Sequence, residues 1–409
     1  MVAGFLLLSG CYFDYGIIGL KEGETPSIEE GTPGDPRVDT GTFMPEDNPE
    51  AVVLVTGERE VLTLAFDVQG SLDLAFLIDT TRSMDGLISA VVTEFDALAD
   101  DVGKAGFSEV RFGLATFDDY GVAPYGQTGL DVPFALQVSQ TADRDLMQAA
   151  LATTVIHNGR DAPESDLEAL WQGVSGTGYD LDCDGVFTPG IDVLPFIASP
   201  TDPFGGLAGA AGTSGSGGFG FTQGHLPVIV YATNSELRDA DNPRFTTPGG
   251  CPRDAGMTDV VAGMEAIGAK VVGVAVNQSE VSYTFAQMSS LGLRTGSVAD
   301  LDGNGTLEPA VFAWSGTSET FRNTLVASIS QLIGAMIWQR VWLEVDDPWG
   351  IVTNIDPPDR SEVHSGDTVR FEVSLVGVDT GGEPVTLTFR LVGDGGVVLG
   401  SHTLVYSAP

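Results

Sequence analysis

The chain has 409 residues, more than one ordinary domain, and a formal net charge of -39 from 18 basic and 57 acidic residues. This charge disfavours nucleic acids and anionic membrane surfaces as partners, because both would repel the chain. It favours cations, but surplus acid also keeps proteins soluble, so the charge alone does not separate the two interpretations.

The first eleven residues, 1–11, have the pattern of an export signal. A short apolar run, Phe5–Leu8, leads into Leu-Ser-Gly-Cys ending at Cys11, which resembles the lipobox of bacterial lipoproteins. The resemblance implies cleavage before Cys11 and acylation of that residue. The protein would then be lipid-anchored in the bacterial cell envelope, at the outer membrane or cell surface. Because no basic residue precedes the apolar run, an ordinary signal peptide or a chance cysteine stays open.

Residues 12–50 are rich in Gly, Pro, Glu, Asp and Thr. Such a segment cannot bury enough apolar surface to fold, so we expect a disordered acidic tether. No later stretch is apolar enough to span a bilayer. Contact with the membrane is therefore expected only through the N-terminal lipid.

Strand-like and helix-like segments then alternate through residues 51–339. Apolar strand patterns occupy 73–79, 109–117, 133–140, 226–233 and 269–277. Helical spacing occupies 84–102, 143–153, 165–174, 257–267, 283–291 and 318–338. This alternation predicts an α/β fold, a Rossmann-like, doubly wound and mostly parallel sheet. A long insertion at 176–224 ends in a glycine-rich tract, to which we assign no chemistry.

The pattern changes after residue 340. Segments of alternating apolar and polar residues, separated by Gly, Pro and Asp turns, continue to residue 409. Such alternation is typical of strands with one buried face. Residues 340–409 are therefore predicted to form a small C-terminal β-sandwich domain.

Asp79, Thr81 and Ser83 follow the first buried strand at alternating positions. Alternating side chains on an extended segment project to one side, so one carboxylate and two hydroxyls could converge on one divalent cation. The ion would keep net positive charge and an open position for a partner's carboxylate. The alternative is a helix N-cap, in which these side chains serve the helix that follows.

The stretch DLAFLIDTTRSM resembles the first metal loop of von Willebrand factor A domains, the Asp-x-Ser/Thr-x-Ser signature of a metal-ion-dependent adhesion site. Three further stretches, RFGLATFDDYGVAPY, NGRDAPESDLEAL and LPVIVYATNSE, resemble the version found in integrin β subunits. The resemblance covers residues 72–338 apart from the insertion. It implies a domain that binds a protein ligand offering Asp or Glu.

The resemblance also implies two ion sites. The ligands of Mg²⁺ or Mn²⁺ at the adhesion site would be Asp79, Thr81, Ser83, Glu164 and Asn234. The ligands of an adjacent Ca²⁺ would be Asp119, Asn158, Asp161, the Pro163 carbonyl and Glu164. Asn234 stands where the family has Asp, and Asn158 is next to the position of the family Asn. Without metals, these acids would belong to a helix first turn and a solvated loop.

A third, regulatory metal site of the integrin version is not expected. The acidic pair that forms it in the family is Gly86 and Leu87 in this chain. Neither residue offers a side-chain oxygen, so only Asp85 remains nearby as a candidate ligand.

Two further loops carry acids spaced as in EF-hand calcium loops. The first has Asp180, Asp182 and Asp184, with Asp192 one residue beyond the usual closing position. The second has Asp300, Asp302 and Asn304, with Glu308 at the ninth position. Both resemble Ca²⁺ loops of exported bacterial proteins, and the alternative is an Asp/Gly turn in an acidic chain.

Cys183 and Cys251 are the two cysteines that remain after Cys11. Export would expose them to oxidising conditions, so a disulfide is expected, with two free thiols as the alternative.

No pattern typical of an enzyme stands out. The four histidines are scattered, and neither a zinc-protease motif nor a phosphate-binding loop is present. We therefore expect a non-catalytic, lipid-anchored adhesion or ligand-binding protein. Two alternatives stay open: a metal-stabilised envelope scaffold, and an accessory subunit of a separate enzyme or secretion system.

Overall fold

The computed structural model describes residues 50–157, 160–199, 201–204, 213 and 215–408. The expected signal with Cys11, the tether up to residue 49 and the predicted calcium ligand Asn158 lie outside the described residues. Within the described part, no helix is both long and apolar enough to cross a membrane.

The described residues form seventeen strands and six α-helices. In the first half these are β1 (Glu50–Val53), β2 (Arg59–Asp67), β3 (Leu72–Asp79), α1 (Asp85–Gly103), β4 (Val110–Phe117), β5 (Ala135–Thr141), α2 (Arg144–Ala152), α3 (Asp166–Ser175) and β6 (Leu226–Thr233). Then follow α4 (Met257–Ala266), β7 (Lys270–Val276), α5 (Tyr283–Arg294), β8 (Val298–Ala299), β9 (Glu308–Pro309), β10 (Val311–Trp314) and α6 (Ser318–Gly334). The last are β11 (Ile337–Trp338), β12 (Val341–Asp346), β13 (Val352–Asp356), β14 (Val363–His364), β15 (Thr368–Val376), β16 (Val385–Gly393) and β17 (Val398–Ser407).

A six-stranded sheet in the order β10-β7-β6-β3-β4-β5 positions the candidate site. Its neighbours pair in parallel except for β4 and β5, which are antiparallel. The predicted α/β fold with a mostly parallel sheet is confirmed. Strand β3 is buried along its whole length, which explains its uninterrupted apolar sequence.

Helices cover both faces of this sheet. Leu74 and Phe76 of β3 belong to one hydrophobic core together with residues of α1 and α6. Ala75 and Leu77, which point the other way, belong to a second core with residues of α3 and α4. The Phe95 ring of α1 lies 6.5 Å from that of Phe76, centroid to centroid. Two separate cores on opposite faces are what a doubly wound sheet requires.

The strand order reverses beside β3. From β3 the chain proceeds to β4 and β5 on one side, and then returns to place β6 and β7 on the other. In open α/β sheets, ligands bind at the carboxyl ends of the strands where the order reverses. Asp79 ends β3 and Thr233 ends β6, so both residues lie at this point of the sheet.

Two smaller sheets involve the C-terminal strands. One has the order β1-β17-β16-β12 and the other β13-β15-β2. Strands β1 and β2, which the sequence boundary at residue 51 assigned to the α/β region, thus pair with C-terminal strands instead. The reason is visible in β2, where exposed and more buried residues alternate as in a strand with one buried face.

The last helix is shorter than its sequence pattern predicts. Helix α6 ends at Gly334, and Ile337–Trp338 form β11, which pairs with β14. Trp338 is buried and pairs with Val363 of β14, in a core that also contains residues of α6. The apolar periodicity continued to Trp338 because that side chain is buried in β11, beyond the end of the helix.

Candidate functional site

The segment after β3 leaves its hydroxyls free of helix capping. Thr81 is extended, with φ -66° and ψ 154°, and a single 3-10 turn, Arg82–Met84, precedes α1. Among the described residues, neither Thr81 nor Met84 makes a side-chain capping bond. The N-cap interpretation therefore does not explain why Thr81 and Ser83 carry hydroxyl groups.

Asp79 is fully buried and fixed by two donors. Its Oδ1 accepts a hydrogen bond of 2.7 Å from the Thr81 backbone N–H. Its Oδ2 accepts one of 2.7 Å from the Thr233 hydroxyl at the end of β6. Burial raises the pKa of Asp79 to about 6, although these hydrogen bonds act in the opposite direction.

Ser83 connects this loop to the end of β6. The Ser83 hydroxyl donates to Asn234 Oδ1 over 3.1 Å and lies 3.5 Å from the Thr81 hydroxyl. The predicted ligands Thr81, Ser83 and Asn234 are thus neighbours, although Asn234 is 151 residues from Ser83 in the chain.

Glu164 carries a buried and poorly compensated carboxylate. Its side chain is buried, and Oε2 has no hydrogen-bond partner among the described residues. Burial raises the pKa of Glu164 to about 10, and Asp79 and Asp119 add to the shift by repulsion. A buried carboxylate that is repelled by its neighbours needs either a proton or a cation.

The residues fit a hard divalent cation. We call Asp79, Thr81, Ser83, Glu164 and Asn234 the Asp79 site. It offers two carboxylates, two hydroxyls and one amide oxygen, which are the donor types that Mg²⁺ and Mn²⁺ prefer. The unpartnered Glu164 Oε2 provides an oxygen that no donor among the described residues engages.

Arg238 lies among the oxygens expected to hold the adjacent calcium ion. Its Nη2 donates to Asp119 Oδ2 over 2.8 Å and to both Asp161 carboxylate oxygens over 3.2 Å. The same nitrogen donates to the Pro163 carbonyl. We call Arg238, Asp119, Asp161 and Pro163 the Arg238 cluster.

A calcium ion does not fit this arrangement. Ca²⁺ needs six to eight oxygens at about 2.3–2.6 Å, whereas here one nitrogen stands at hydrogen-bond distance from all four oxygens. The ligand types were identified from the sequence, but the cation that they surround is a guanidinium group. Asn158, another expected side-chain ligand of this ion, lies outside the described residues.

Sequence reasoning missed two sets of residues near this edge. Arg238 gave no signal, because a lone Arg in a loop has no motif. Asp118, Asp131 and His157 also form a cluster, with ligand atoms within 4.8 Å of one another. In it, Asp118 accepts from the Thr80 hydroxyl over 2.7 Å and pairs with His157 Nδ1 at 2.7 Å.

The first acidic loop closes as its spacing suggests. Asp180, Asp182 and Asp192 place carboxylate oxygens within 4.8 Å of one another. Asp180 is buried, and its Oδ1 has no partner among the described residues. Asp184 accepts from the Val186 N–H over 2.7 Å within the same loop. Asp192, and not the residue at the usual closing position, completes the group.

Cys183 and Cys251 form a disulfide, with Cα atoms 5.3 Å apart. The two strands of chain are also joined by a pair of backbone hydrogen bonds between Asp180 and Cys251, of 2.8 and 3.1 Å. The first acidic loop is therefore attached to the segment that precedes α4.

The second acidic loop repeats the hydrogen-bond pattern of the first. Asp300 Oδ2 accepts from the Gly305 N–H over 2.9 Å, and Asp302 Oδ1 from the Asn304 N–H over 3.0 Å. Glu308 Oε1 accepts from the Leu301 N–H over 3.1 Å. In the first loop, Asp180 Oδ2, Asp182 Oδ1 and Asp192 Oδ1 accept from the corresponding N–H groups of Gly185, Asp184 and Leu181.

No protein-family model and no curated protein sequence matches this chain. Among solved structures, it is similar to the open form of the pilus adhesin SpaC from Lactobacillus rhamnosus GG, with 10% identity and a TM-score of 0.35. That match covers 86% of this chain and 45% of the adhesin, so the chain spans about half its length.

Two further solved structures are similar at the same level. A von Willebrand factor type A protein from Catenulispora acidiphila has 11% identity and a TM-score of 0.34, over 87% of this chain and 71% of that one. The ArnB paralog VWA2 from Sulfolobus acidocaldarius has 8% identity and a TM-score of 0.31, over 87% and 73%. We draw no functional conclusion from these likenesses.

Proposed function

We propose that this protein binds an acidic side chain of a protein partner through a divalent cation, Mg²⁺ or Mn²⁺, held at the Asp79 site. The supporting observation is the buried Glu164 carboxylate, whose Oε2 has no partner in the described part of the chain. Its neighbour Asp79 is also buried, so the edge concentrates negative charge that only a cation or protons can offset.

The hydroxyls explain why such a site would recognise a carboxylate. Thr81 and Ser83 coordinate without neutralising the ion, so part of its charge stays available for an external anion. The bound cation would supply this attraction, and the protein residues would hold and orient it. No bond is made or broken in the proposed interaction, which is recognition and not catalysis.

We also propose the finer assignments that the sequence suggested. These are a von Willebrand factor A domain of the integrin β type, a β-sandwich built from the C-terminal strands, and lipid anchoring in the bacterial envelope through Cys11. Side chains of the two small sheets share contacts, as the Phe66 ring of β2 lies 6.3 Å from the His402 ring of β17, centroid to centroid. That sharing supports the sandwich.

The two acidic loops are proposed Ca²⁺ sites. Asp180 and Asp300 each have an Oδ1 without a partner in the described residues, while Oδ2 accepts a backbone N–H. The same arrangement in two separate loops supports the same ligand for both. We propose that calcium there stabilises the loops, which is the contribution expected of an envelope scaffold.

The test measures Mn²⁺ binding to the purified chain, and the electron paramagnetic resonance signal of the free ion reports how much Mn²⁺ remains unbound. Asp79→Asn should lower the affinity of the Asp79 site for Mn²⁺ by more than about 100-fold. That loss is larger than the one expected when a residue that only supports the ligands is changed. Asp96→Asn is the matched control, because Asp96 is an exposed acid on α1 and loses the same charge. Equal affinity in the two variants would overturn the proposal.

Recognition of a carboxylate is tested separately. Crystals soaked in Mn²⁺ and sodium acetate should show the ion bonded to Asp79 and Ser83, with an acetate oxygen in its open position. Thr81→Ala distinguishes the two candidate roles: it should weaken acetate and ion binding if the edge is an adhesion site. Unchanged binding would contradict the adhesion role and favour the scaffold role.

A further inference from the structure

Arg238 is almost completely buried beside the Asp79 site, with 3% of its surface exposed. A guanidinium group is costly to bury unless its charge is paired. Both terminal nitrogens of Arg238 have acceptors, whereas Nε has no hydrogen-bond partner among the described residues. Asp119 is itself buried, and Asp161 is partly exposed. Nη1 donates to the Thr246 carbonyl over 2.9 Å, and the guanidinium carbon lies 4.6 Å from the Tyr125 ring centroid.

Arg238 and Glu236 also hold the backbone of Glu164 through hydrogen bonds. The Arg238 backbone N–H donates to the Glu164 carbonyl over 3.0 Å, and the Glu164 N–H donates to the Glu236 carbonyl over 3.2 Å. The side chain of Arg238 donates hydrogen bonds to Asp161 and to the Pro163 carbonyl in the loop that contains Glu164. One residue thus holds the 161–164 loop from both its backbone and its side chain.

We propose that Arg238 is a built-in cation that takes the place of a second metal ion, and that it positions Glu164 for the Asp79 site. This inference rests on the proposed function, because it treats Glu164 as a ligand of the adhesion ion. The consequence is a site with one exchangeable ion. Its neighbouring positive charge is fixed in the sequence and does not depend on the calcium concentration.

The geometry around Arg238 differs from that of an ordinary ion pair between two side chains. Nη2 faces four oxygens of three residues at once, which is the coordination-like arrangement that a small cation would otherwise adopt. Arg is always protonated and presents a planar set of donors, so the charge is permanent and directional. The partner oxygens are therefore engaged before any metal ion arrives.

The experiment compares Arg238→Ala with Arg244→Ala in the full chain. Arg244 lies in the same segment but is exposed and pairs with Glu236. Without calcium, Arg238→Ala should lower Mn²⁺ affinity of the Asp79 site by about 10–100-fold, as loss of a positioning residue does. Added Ca²⁺ should restore much of that affinity in this variant only. Arg244→Ala should match the wild type.

Calcium counting provides an independent readout. In equilibrium dialysis with Ca²⁺, Arg238→Ala should bind one ion more than the wild type, because the oxygens of Asp119 and Asp161 become available. An Arg238→Ala protein that keeps wild-type Mn²⁺ affinity without calcium, or gains no calcium ion, would overturn the inference. Because this count does not involve Asp79, it stays decisive even if the adhesion site fails its own test.

A second variant covers the case in which Arg238→Ala does not fold. Asp161→Asn changes a partly exposed side chain and keeps its shape. If Arg238 replaces the ion, Asp161→Asn leaves the number of calcium ions bound by the otherwise wild-type chain unchanged. Loss of one calcium ion in this variant would mean that the metal, and not Arg238, occupies the cluster.

Discussion

The Asp79 site and the Arg238 cluster are adjacent and both contain buried carboxylates, but the negative charge of these carboxylates is compensated differently. In the Arg238 cluster, the carboxylates of Asp119 and Asp161 are paired with a cation that the chain itself supplies. In the Asp79 site, Glu164 keeps a buried oxygen without a partner among the described residues. Only the second arrangement leaves a requirement for something from solution. A site that is complete is structural, and a site that is incomplete can respond to a ligand.

The largest expected effect comes from removing the guanidinium group of the Arg238 cluster. Arg238→Met should lower the free energy of unfolding by about 3–5 kcal/mol, because it leaves the buried Asp119 carboxylate without its cation. Urea denaturation measures the change. Adding Asp119→Asn to that variant should recover part of the loss, since the unpaired charge is then removed. If the double variant is no more stable than Arg238→Met, charge pairing is not what Arg238 contributes.

The next largest effect is expected at the Asp79 site, where the Glu164 carboxylate lacks a partner among the described residues. Glu164→Gln should change thermal stability little in EDTA at neutral pH, because a carboxyl group with a pKa of about 10 is already protonated there. The variant should lose the stabilisation by Mg²⁺, which for the wild type is about 2.7 kcal/mol at 100 times the dissociation constant. Differential scanning calorimetry with and without Mg²⁺ decides. A full Mg²⁺ response in Glu164→Gln would exclude Glu164 as a ligand.

A smaller, graded effect is expected from pH. Folding raises the pKa of Asp79 to about 6 and that of Glu164 to about 10, so the metal-free folded state retains protons that the unfolded chain has lost. Each such proton lowers the free energy of unfolding by about 1.4 kcal/mol per pH unit. Stability in EDTA should therefore fall as the pH rises from the ordinary carboxyl range through the raised pKa values.

Magnesium should reverse this trend, because binding requires the ionised carboxylates and displaces their protons. The double variant of Asp79→Asn and Glu164→Gln serves as the reference, since the net charge of -39 contributes its own self-repulsion. The difference between wild type and reference isolates the two groups. A wild-type pH profile parallel to that of the reference would contradict the assignment.

The smallest effect is that of a supporting hydrogen bond. Thr233→Val removes the donor to Asp79 Oδ2 and should cost about 1 kcal/mol of stability in EDTA. Thr233→Ser, which keeps the hydroxyl, should cost less. Both are measured by urea denaturation, and equal losses would show that the methyl group matters more than the hydrogen bond.

The sequence was most informative where one strand determines both burial and position. The uninterrupted apolar run before Asp79 predicted a central strand, and β3 is an inner strand of the mostly parallel sheet. The alternating positions of Thr81 and Ser83 predicted a common direction, and their hydroxyls lie 3.5 Å apart. These features depend on local periodicity, which a single sequence displays directly.

Features set by distant partners were not predictable in the same way. Arg238 reaches Asp119 and Asp161 only because three loops meet at the sheet edge, and nothing in its neighbouring residues indicates this. The true partners of β2 are likewise at the other end of the chain. Trp338 misled the prediction of α6 because it is buried in a strand, β11, that follows the helix and pairs with the distant β14.

The pairing of β2 with β15 has a consequence for how the chain folds. Asp67 and Thr368, which are joined by a hydrogen bond of 2.7 Å, are 301 residues apart. During synthesis, β2 emerges long before its partner, whereas the α/β region between them can close its own sheet first. Non-local pairings of this kind form slowly, because loop closure opposes them. We expect completion of the β13-β15-β2 sheet to be the last major step, after which both ends of the α/β region are fixed to one layer.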